Sequence, residues 1–176
     1  MLMLSIIFLI CTLNFVVGWD YVNKFDERID FSCPSGQAIS FIHSEHHNYY
    51  EDRKWSLGCR STVGQHVDCY WTPSFVNDWD EYFNFECSHN GFITGIRSVH
   101  DNGKEDRRFM FKCCGISGKE ARQCENTMKN NFDKADTVRV PEGSVVKGVS
   151  SSHSNYYEDR QYSWKICNLV DSSYGR

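Results

Sequence analysis

The residues of this chain that can do chemistry recur at fixed intervals. Ser44-x-His46 returns as Ser98-x-His100 and again as Ser151-x-His153. Glu51-Asp52-Arg53 returns as Glu105-Asp106-Arg107 and as Glu158-Asp159-Arg160. Serine, histidine and a carboxylate are the parts of a hydrolytic triad, but no G-x-S-x-G elbow presents a serine. The run His43-Ser-Glu45-His46-His47 has the look of a metal cluster. Only His46 recurs, however: His43 becomes Arg97 and Ser150, and His47 becomes Asp101 and Ser154. No repeated ligand set exists, so no metal and no cofactor are expected. Glu-Asp-Arg has two readings. One is an ion pair internal to each copy, with the arginine flat on the aromatic two residues on, Trp55, Phe109 or Tyr162. The other is a rim of carboxylates and aromatics that holds a sugar or an anionic group. That rim comprises His46, Tyr50, Asp52, Arg53 and Trp55. Its counterparts are His100, Asp106, Arg107 and Phe109, then His153, Tyr157, Asp159, Arg160 and Tyr162. Lys104 replaces the tyrosine in the middle copy, so its site is expected to be weaker.

The elements that position these groups repeat with them. Asn48–Arg53 and Asn155–Arg160 share the hexapeptide NYYEDR, and Asn23-x-Phe25-Asp26 falls on Asn77-x-Trp79-Asp80 and Asn130-x-Phe132-Asp133. The chain is three gapless copies of a unit of about 53 residues, near 19–62, 74–114 and 127–167. Alternating apolar residues predict short strands. Phe31–Cys33 is one, closed by Pro34-Ser35-Gly36. Ala38–Ser44 is a second, with Ala38/Ile42, Phe92/Ile96 and Val145/Val149 as its inward face. A third carries Trp55, Leu57 and Cys59. No convincing amphipathic helix is present; 120–129 comes nearest. The tail 171–176 is expected to fray. The fold class is therefore all-β, one compact domain over 19–176 with pseudo-threefold symmetry.

Bulk properties narrow the function. The first eighteen residues carry no charge, are apolar and end Val16-Val17-Gly18, as a signal peptide cleaved before Trp19 would. A membrane anchor is the alternative reading, and it lacks a positive flank. No second apolar run follows, so no membrane span is expected after cleavage and the mature chain is secreted. A formal charge of −4 and the absence of a basic run exclude nucleic acid as a partner.

Eight cysteines remain beyond the leader, an even number that reads as disulfides. Cys33 and Cys59 align with Cys87 and Cys113, and both positions become apolar together in the third copy, as Val140 and Ile166. A pair lost as a pair was bonded, which predicts Cys33–Cys59 and Cys87–Cys113. Position then pairs Cys69 with Cys114 and Cys124 with Cys167. The vicinal Cys113 and Cys114 leave an exchange of partners open. Each loop adds about 3.5 kcal/mol in the chain-entropy model. With no free thiol and no elbow, an enzyme is not expected. Tyr21, Tyr49, Tyr50, Tyr82, Tyr156 and Tyr157 lie beside acidic residues and are candidates for sulfation.

Taken together, these motifs resemble the dermatopontin family, with its haemagglutinin/amebocyte aggregation factor relatives. The resemblance rests on Tyr21-Val-Asn-Lys-Phe25-Asp26, Phe31-Ser-Cys33-Pro34-x-Gly36, the repeated I-x-S-x-H and Asp52-Arg53-Lys54-Trp55. The last weakens to Asp106-Arg107-Arg108-Phe109 and Asp159-Arg160-Gln161-Tyr162. It implies a non-enzymatic extracellular matrix protein that binds proteoglycan and collagen and supports cell adhesion. The aggregation-factor branch implies instead a soluble multivalent lectin of innate defence that agglutinates cells through surface glycans.

Overall fold

The structure, a computed structural model, describes residues 19–172; the expected leader lies outside them. The described residues contain eleven strands and no helix. Each copy contributes a short strand and then a long hairpin. The short strands are β1 (Ile29–Ser32), β5 (Phe83–Glu86) and β9 (Asp136–Arg139). The hairpins are β2 (Gln37–His47) with β3 (Asp52–Ser61), β6 (Phe92–Asp101) with β7 (Asp106–Ile116), and β10 (Ser144–Ser154) with β11 (Asp159–Asp171). The connectors form β4 (His66–Trp71) and β8 (Lys119–Asn126). Residues 120–129, the nearest approach to a helix in the sequence, are thus largely strand. Their polar side chains sit at a sheet edge, where β8 pairs only with β11. Asp171 still belongs to β11, and Ser172 donates its N–H to Gly118 O, so the start of the tail is tied down.

The copies are interlocked rather than stacked. Each hands its short strand to the hairpin of the next: β1 pairs β6, β5 pairs β10, and β9 returns to β2. All three pairings are antiparallel, so the ring of hand-overs closes on itself. The connectors follow the same direction, β4 onto β7 and β8 onto β11.

A bulge interrupts the hairpin register at the same place in every copy, between Ile39 and Phe41, Ile93 and Gly95, and Val146 and Gly148. The extra residue turns the strand over. This corrects the inward face expected from strict alternation. Ile39, Ile93 and Val146 join Ile42, Ile96 and Val149 in the main core, while Ala38, Phe92 and Val145 form a second, smaller cluster. At Gly95 a Cβ would stand 2.8 Å from the carbonyl oxygen of Phe31, so β1 approaches through the space a side chain would fill.

Trp55, Phe109 and Tyr162 meet one another at the centre. Trp55 stands edge-on to Tyr162 at 5.0 Å and to Phe109 at 6.4 Å, and Phe109 meets Tyr162 at 5.8 Å. Edge-to-face contact is the favoured aromatic geometry and adds to the area term. Burial pushes the Tyr162 hydroxyl far above the usual phenol range. Four disulfides staple the rim of this core: Cys33–Cys59, Cys87–Cys113, Cys69–Cys114 and Cys124–Cys167. Val140 and Ile166 hold the aligned place in copy three and pack against the same core.

Candidate functional site

The Asn-x-aromatic-Asp segment is a clamp on the third strand of its own copy. Asn23 Nδ2 donates to Arg53 O at 3.1 Å, and Trp55 N–H donates to Asn23 Oδ1 at 2.8 Å. Asn77 does the same with Arg107 and Phe109, and Asn130 with Arg160 and Tyr162. Three residues on, the N–H of Asp26 donates to Asp52 Oδ2, that of Asp80 to Asp106 Oδ2 and that of Asp133 to Asp159 Oδ2. The three N–H groups can reach because Asp26, Asp80 and Asp133 take positive φ, which aspartate tolerates better than most residues.

These carboxylates are buried, and each receives the arginine of the next copy. Arg107 donates Nε and Nη2 to Asp52, both at 2.6 Å. Arg160 donates to Asp106 at 2.5 and 2.8 Å, and Arg53 closes the circle on Asp159 at 2.6 and 2.7 Å. Six buried charges thus form three two-pronged pairs that run around the molecule in the sense of the strand hand-overs. The ion pair is not internal to a copy, and no arginine lies on the aromatic two residues ahead; each pair joins two copies. The junctions are not equal. Arg53 Nη1 donates to Ser44 Oγ and Lys134 O, and Arg160 Nη1 to Ser151 Oγ and Glu81 O. At the junction of copies one and two, Arg107 Nη1 and Ser98 Oγ are both buried without a hydrogen-bond partner.

The three recurring histidines cross the same junctions. His46 Nε2 donates to Glu158 O at 3.2 Å, and His153 Nε2 donates to Glu105 O at 3.2 Å. Their side chains are almost fully enclosed. Glu51, Glu105 and Glu158, each at positive φ, line one cavity of about 20 Å³, room for about one water. Burial, reinforced by the Glu51 carboxylate, raises Glu105 and Glu158 above the usual carboxylate range, although His100 and His153 pull the other way.

Outside this ring, copies one and three present the same aromatic platform. Tyr50 stacks on Phe25 at 4.6 Å and 10°, with Tyr49 edge-on at 5.1 Å. Tyr157 stacks on Phe132 at 4.6 Å and 10°, with Tyr156 edge-on at 4.9 Å. Tyr49 is 82% exposed and Tyr156 86%. In the middle copy Gly103 and Lys104 stand in place of the two tyrosines, and Trp79 is covered instead by the Arg108 guanidinium at 4.4 Å.

A family model for dermatopontin matches residues 23–171. The chain belongs to the dermatopontin family. Among its relatives, the haemagglutinin/amebocyte aggregation factor of Limulus polyphemus is 38% identical over 93% of this chain and 95% of its own length. A dermatopontin of Biomphalaria glabrata is 37% identical over 84% of this chain and 99% of its own. Millepora cytotoxin-1 of Millepora dichotoma is 36% identical over 83% of this chain, which spans 65% of that protein's length. No solved structure matches.

The motifs that mark this dermatopontin-family chain turn out to be mostly interior, which corrects the expected ligand rim. Asp52, Arg53, Trp55, Asp106, Arg107, Phe109, Asp159, Arg160 and Tyr162 are buried, and the side chains of His46, His100 and His153 are enclosed. The charges are consumed by each other and the aromatics by the core. Of the rim residues, Tyr50 and Tyr157 are the exposed ones. Among the sulfation candidates Tyr49, Tyr50, Tyr82, Tyr156 and Tyr157 are exposed, whereas the Tyr21 hydroxyl is engaged by Glu45. Burial and that carboxylate raise Tyr21 far above the phenol range, and the same hydrogen bond holds Glu45 below its ordinary value.

Two features of the site escape the sequence motifs. Phe25 and Phe132 are platform residues hidden inside the clamp motif. His43, which does not recur in the other copies, ties copy one to copy three through Thr137 Oγ1 at 2.8 Å, with Trp19 stacked on its ring at 4.0 Å. Cys69 and Cys114 lie near His66 but are joined to each other, so they offer no thiolate to a metal.

Proposed function

We propose that the protein is a secreted, non-enzymatic adhesion protein of the extracellular matrix, cleaved from its leader before Trp19, that binds matrix or cell-surface glycans. The observation that carries this reading is the duplicated platform of Phe25, Tyr50 and Tyr49 and of Phe132, Tyr157 and Tyr156. Exposed aromatic faces fit the apolar face of a sugar ring, and the polar tip of tyrosine bonds its hydroxyls. Two such faces on one disulfide-stapled body bind a repetitive surface with avidity and no further contact. The names of the relatives, dermatopontin and haemagglutinin/aggregation factor, point the same way.

The second reading is a soluble agglutinin, favoured by that same duplication, because two sites on one chain suffice to bridge two cells. A binding panel at two salt concentrations separates the two. Matrix binding through charged proteoglycan weakens as salt screens it. Lectin binding persists in salt and is displaced by a free neutral sugar. Agglutination reversed by one simple sugar, without affinity for proteoglycan or collagen, decides for the second reading. Failure to bind any glycan surface or collagen refutes both.

A further inference from the structure

At each junction a histidine ring meets two aspartates, and at one of them a buried histidine nitrogen faces a carboxylate oxygen that it cannot bond as a neutral ring. His46 Nε2 carries the hydrogen given to the Glu158 carbonyl, so the neutral imidazole has a bare lone pair at Nδ1. Nδ1 stands 3.4 Å from Asp133 Oδ1, and neither atom has a hydrogen-bond partner although both are buried. The His46 side chain is only 1% exposed. His153 repeats the framework but not the unpartnered nitrogen. Its Nε2 donates to the Glu105 carbonyl, and its Nδ1 stands 3.4 Å from Asp80 Oδ1, which also has no partner. The same Nδ1 also has Asn155 Oδ1 as a hydrogen-bond partner at 3.2 Å, a contact that a bound ion would displace. At the remaining junction His100 Nδ1 bonds Asn102 Oδ1 at 3.3 Å and lies 3.6 Å from Asp26 Oδ1, so the unpartnered nitrogen is Nε2, 3.9 Å from Asp52 Oδ1. In each case a ring carboxylate, Asp159, Asp106 or Asp52, brings a third ligand atom within 4.8 Å.

We infer that the three junctions are binding sites for a divalent first-row metal ion of the zinc class, each built from one histidine and two aspartates contributed by neighbouring copies. Metal–ligand bonds of 2.0–2.1 Å in a tetrahedral site put neighbouring ligand atoms about 3.3 Å apart, close to the 3.4, 3.4 and 3.6 Å between each histidine and its outer aspartate, while the ring carboxylate, within 4.8 Å, would have to draw in. The second nitrogen of a ligating histidine characteristically donates to a backbone carbonyl, as His46 and His153 do. A nitrogen with two carboxylate oxygens is a donor set for a borderline ion. Asp26, Asp80 and Asp133 are partly exposed, which opens a way in and leaves room for water to complete the coordination. The arginine already paired with each ring carboxylate opposes the ion's charge, so binding is weak and exchangeable. The His100 site, without a carbonyl behind its Nε2, is the weakest.

The ligand set repeats only across copies, which is why no copy shows it alone. An ion at each junction would tie copy to copy, as the ion pairs beneath do.

The test is a calorimetric titration of the chelator-treated, disulfide-intact mature protein with zinc chloride at neutral pH, with thermal melts alongside. The expected result is three equivalents, two stronger and one weaker, and a Tm that rises with zinc. Asp133→Asn removes one equivalent while keeping a residue that accepts positive φ and the N–H bond to Asp159. The triple variant Asp26→Asn, Asp80→Asn, Asp133→Asn abolishes the zinc-dependent shift, and His46→Gln repeats the single loss. His89→Gln, in an exposed turn away from the junctions, retains all three equivalents. No heat above the blank, or equal uptake by the triple variant, overturns the inference. So does a Tm that follows pH but ignores zinc, which would show that a proton bridges each histidine–aspartate pair.

Discussion

Replacing Arg53 by methionine tests whether the ring of ion pairs holds the copies together. The substitution keeps volume but leaves the Asp159 carboxylate with only the N–H groups of Asp133 and Arg160. Asp159 and Arg53 are both nearly inaccessible, so water cannot take over. Breaking a buried pair by removing one partner costs about 3–5 kcal/mol, a fifth or more of the roughly 5–15 kcal/mol that holds a typical domain. With a urea slope of about 2 kcal/mol/M, the unfolding midpoint should fall by about 1.5–2.5 M, with the disulfides intact. Adding Asp159→Asn removes the stranded charge but keeps an oxygen for the two backbone donors. The double variant should therefore recover more than half of the loss. The same substitution at Arg107 should cost about 1 kcal/mol less, because Arg107 Nη1 makes no hydrogen bond to lose. A loss below 1 kcal/mol for Arg53→Met, the level of an exposed pair, would refute the reasoning. So would a double variant whose loss is the sum of its parts.

Other perturbations follow from single features. Burial, aided by Lys112, lowers His66 below its ordinary 6.5, so the unfolded chain binds more protons. The stability it contributes is present above pH 6.5 and lost as pH falls through the window beneath, and His66→Gln should flatten melts across that window. Glu105→Gly should raise stability at neutral pH by about 1 kcal/mol, since a non-glycine residue at positive φ is strained and its carboxylate is crowded by Glu51; an unchanged or lower Tm counts against this. Exchanging Cys33 and Cys59 for valine and isoleucine copies the pair at Val140 and Ile166. In denaturant titrations it should cost about 1–2 kcal/mol less than the double alanine variant, which leaves a cavity as well.

The all-β class and the disulfide frame are legible in the sequence because both depend on residues compared between copies. Cys33 and Cys59 vanish together in copy three, and that coincidence carries a distance constraint. Contacts between copies are not legible in this way. Repetition shows that Asp52, Asp106 and Asp159 are equivalent, but not that Asp52 meets Arg107 rather than Arg53. A ring and three separate pairs have the same sequence. The bulge is hidden for a related reason. One extra residue reverses the alternation without changing composition, and Phe41 in copy one masks the signal of Gly95 and Gly148. Residues 119–126 carry no apolar face because β8 is an edge strand, so periodicity has nothing to report. The expected rim went inside because charge and aromatic character were read as exposure. Here the charges cancel in pairs and the aromatics at 55, 109 and 162 meet in the core.

The most direct measurement compares binding with bridging in the platform variants. Tyr49→Ala and Tyr156→Ala, singly and together, would be assayed for adsorption to glycan-bearing cells or matrix and for aggregation of those cells or particles. Both tyrosines lie on the surface, so the fold and its melting temperature should be unchanged. Each single variant should still adsorb but lose aggregation, because one remaining platform cannot bridge two surfaces, and the double variant should lose both. Full aggregation by the double variant, with its fold intact, would contradict the account and move the binding surface elsewhere on the molecule.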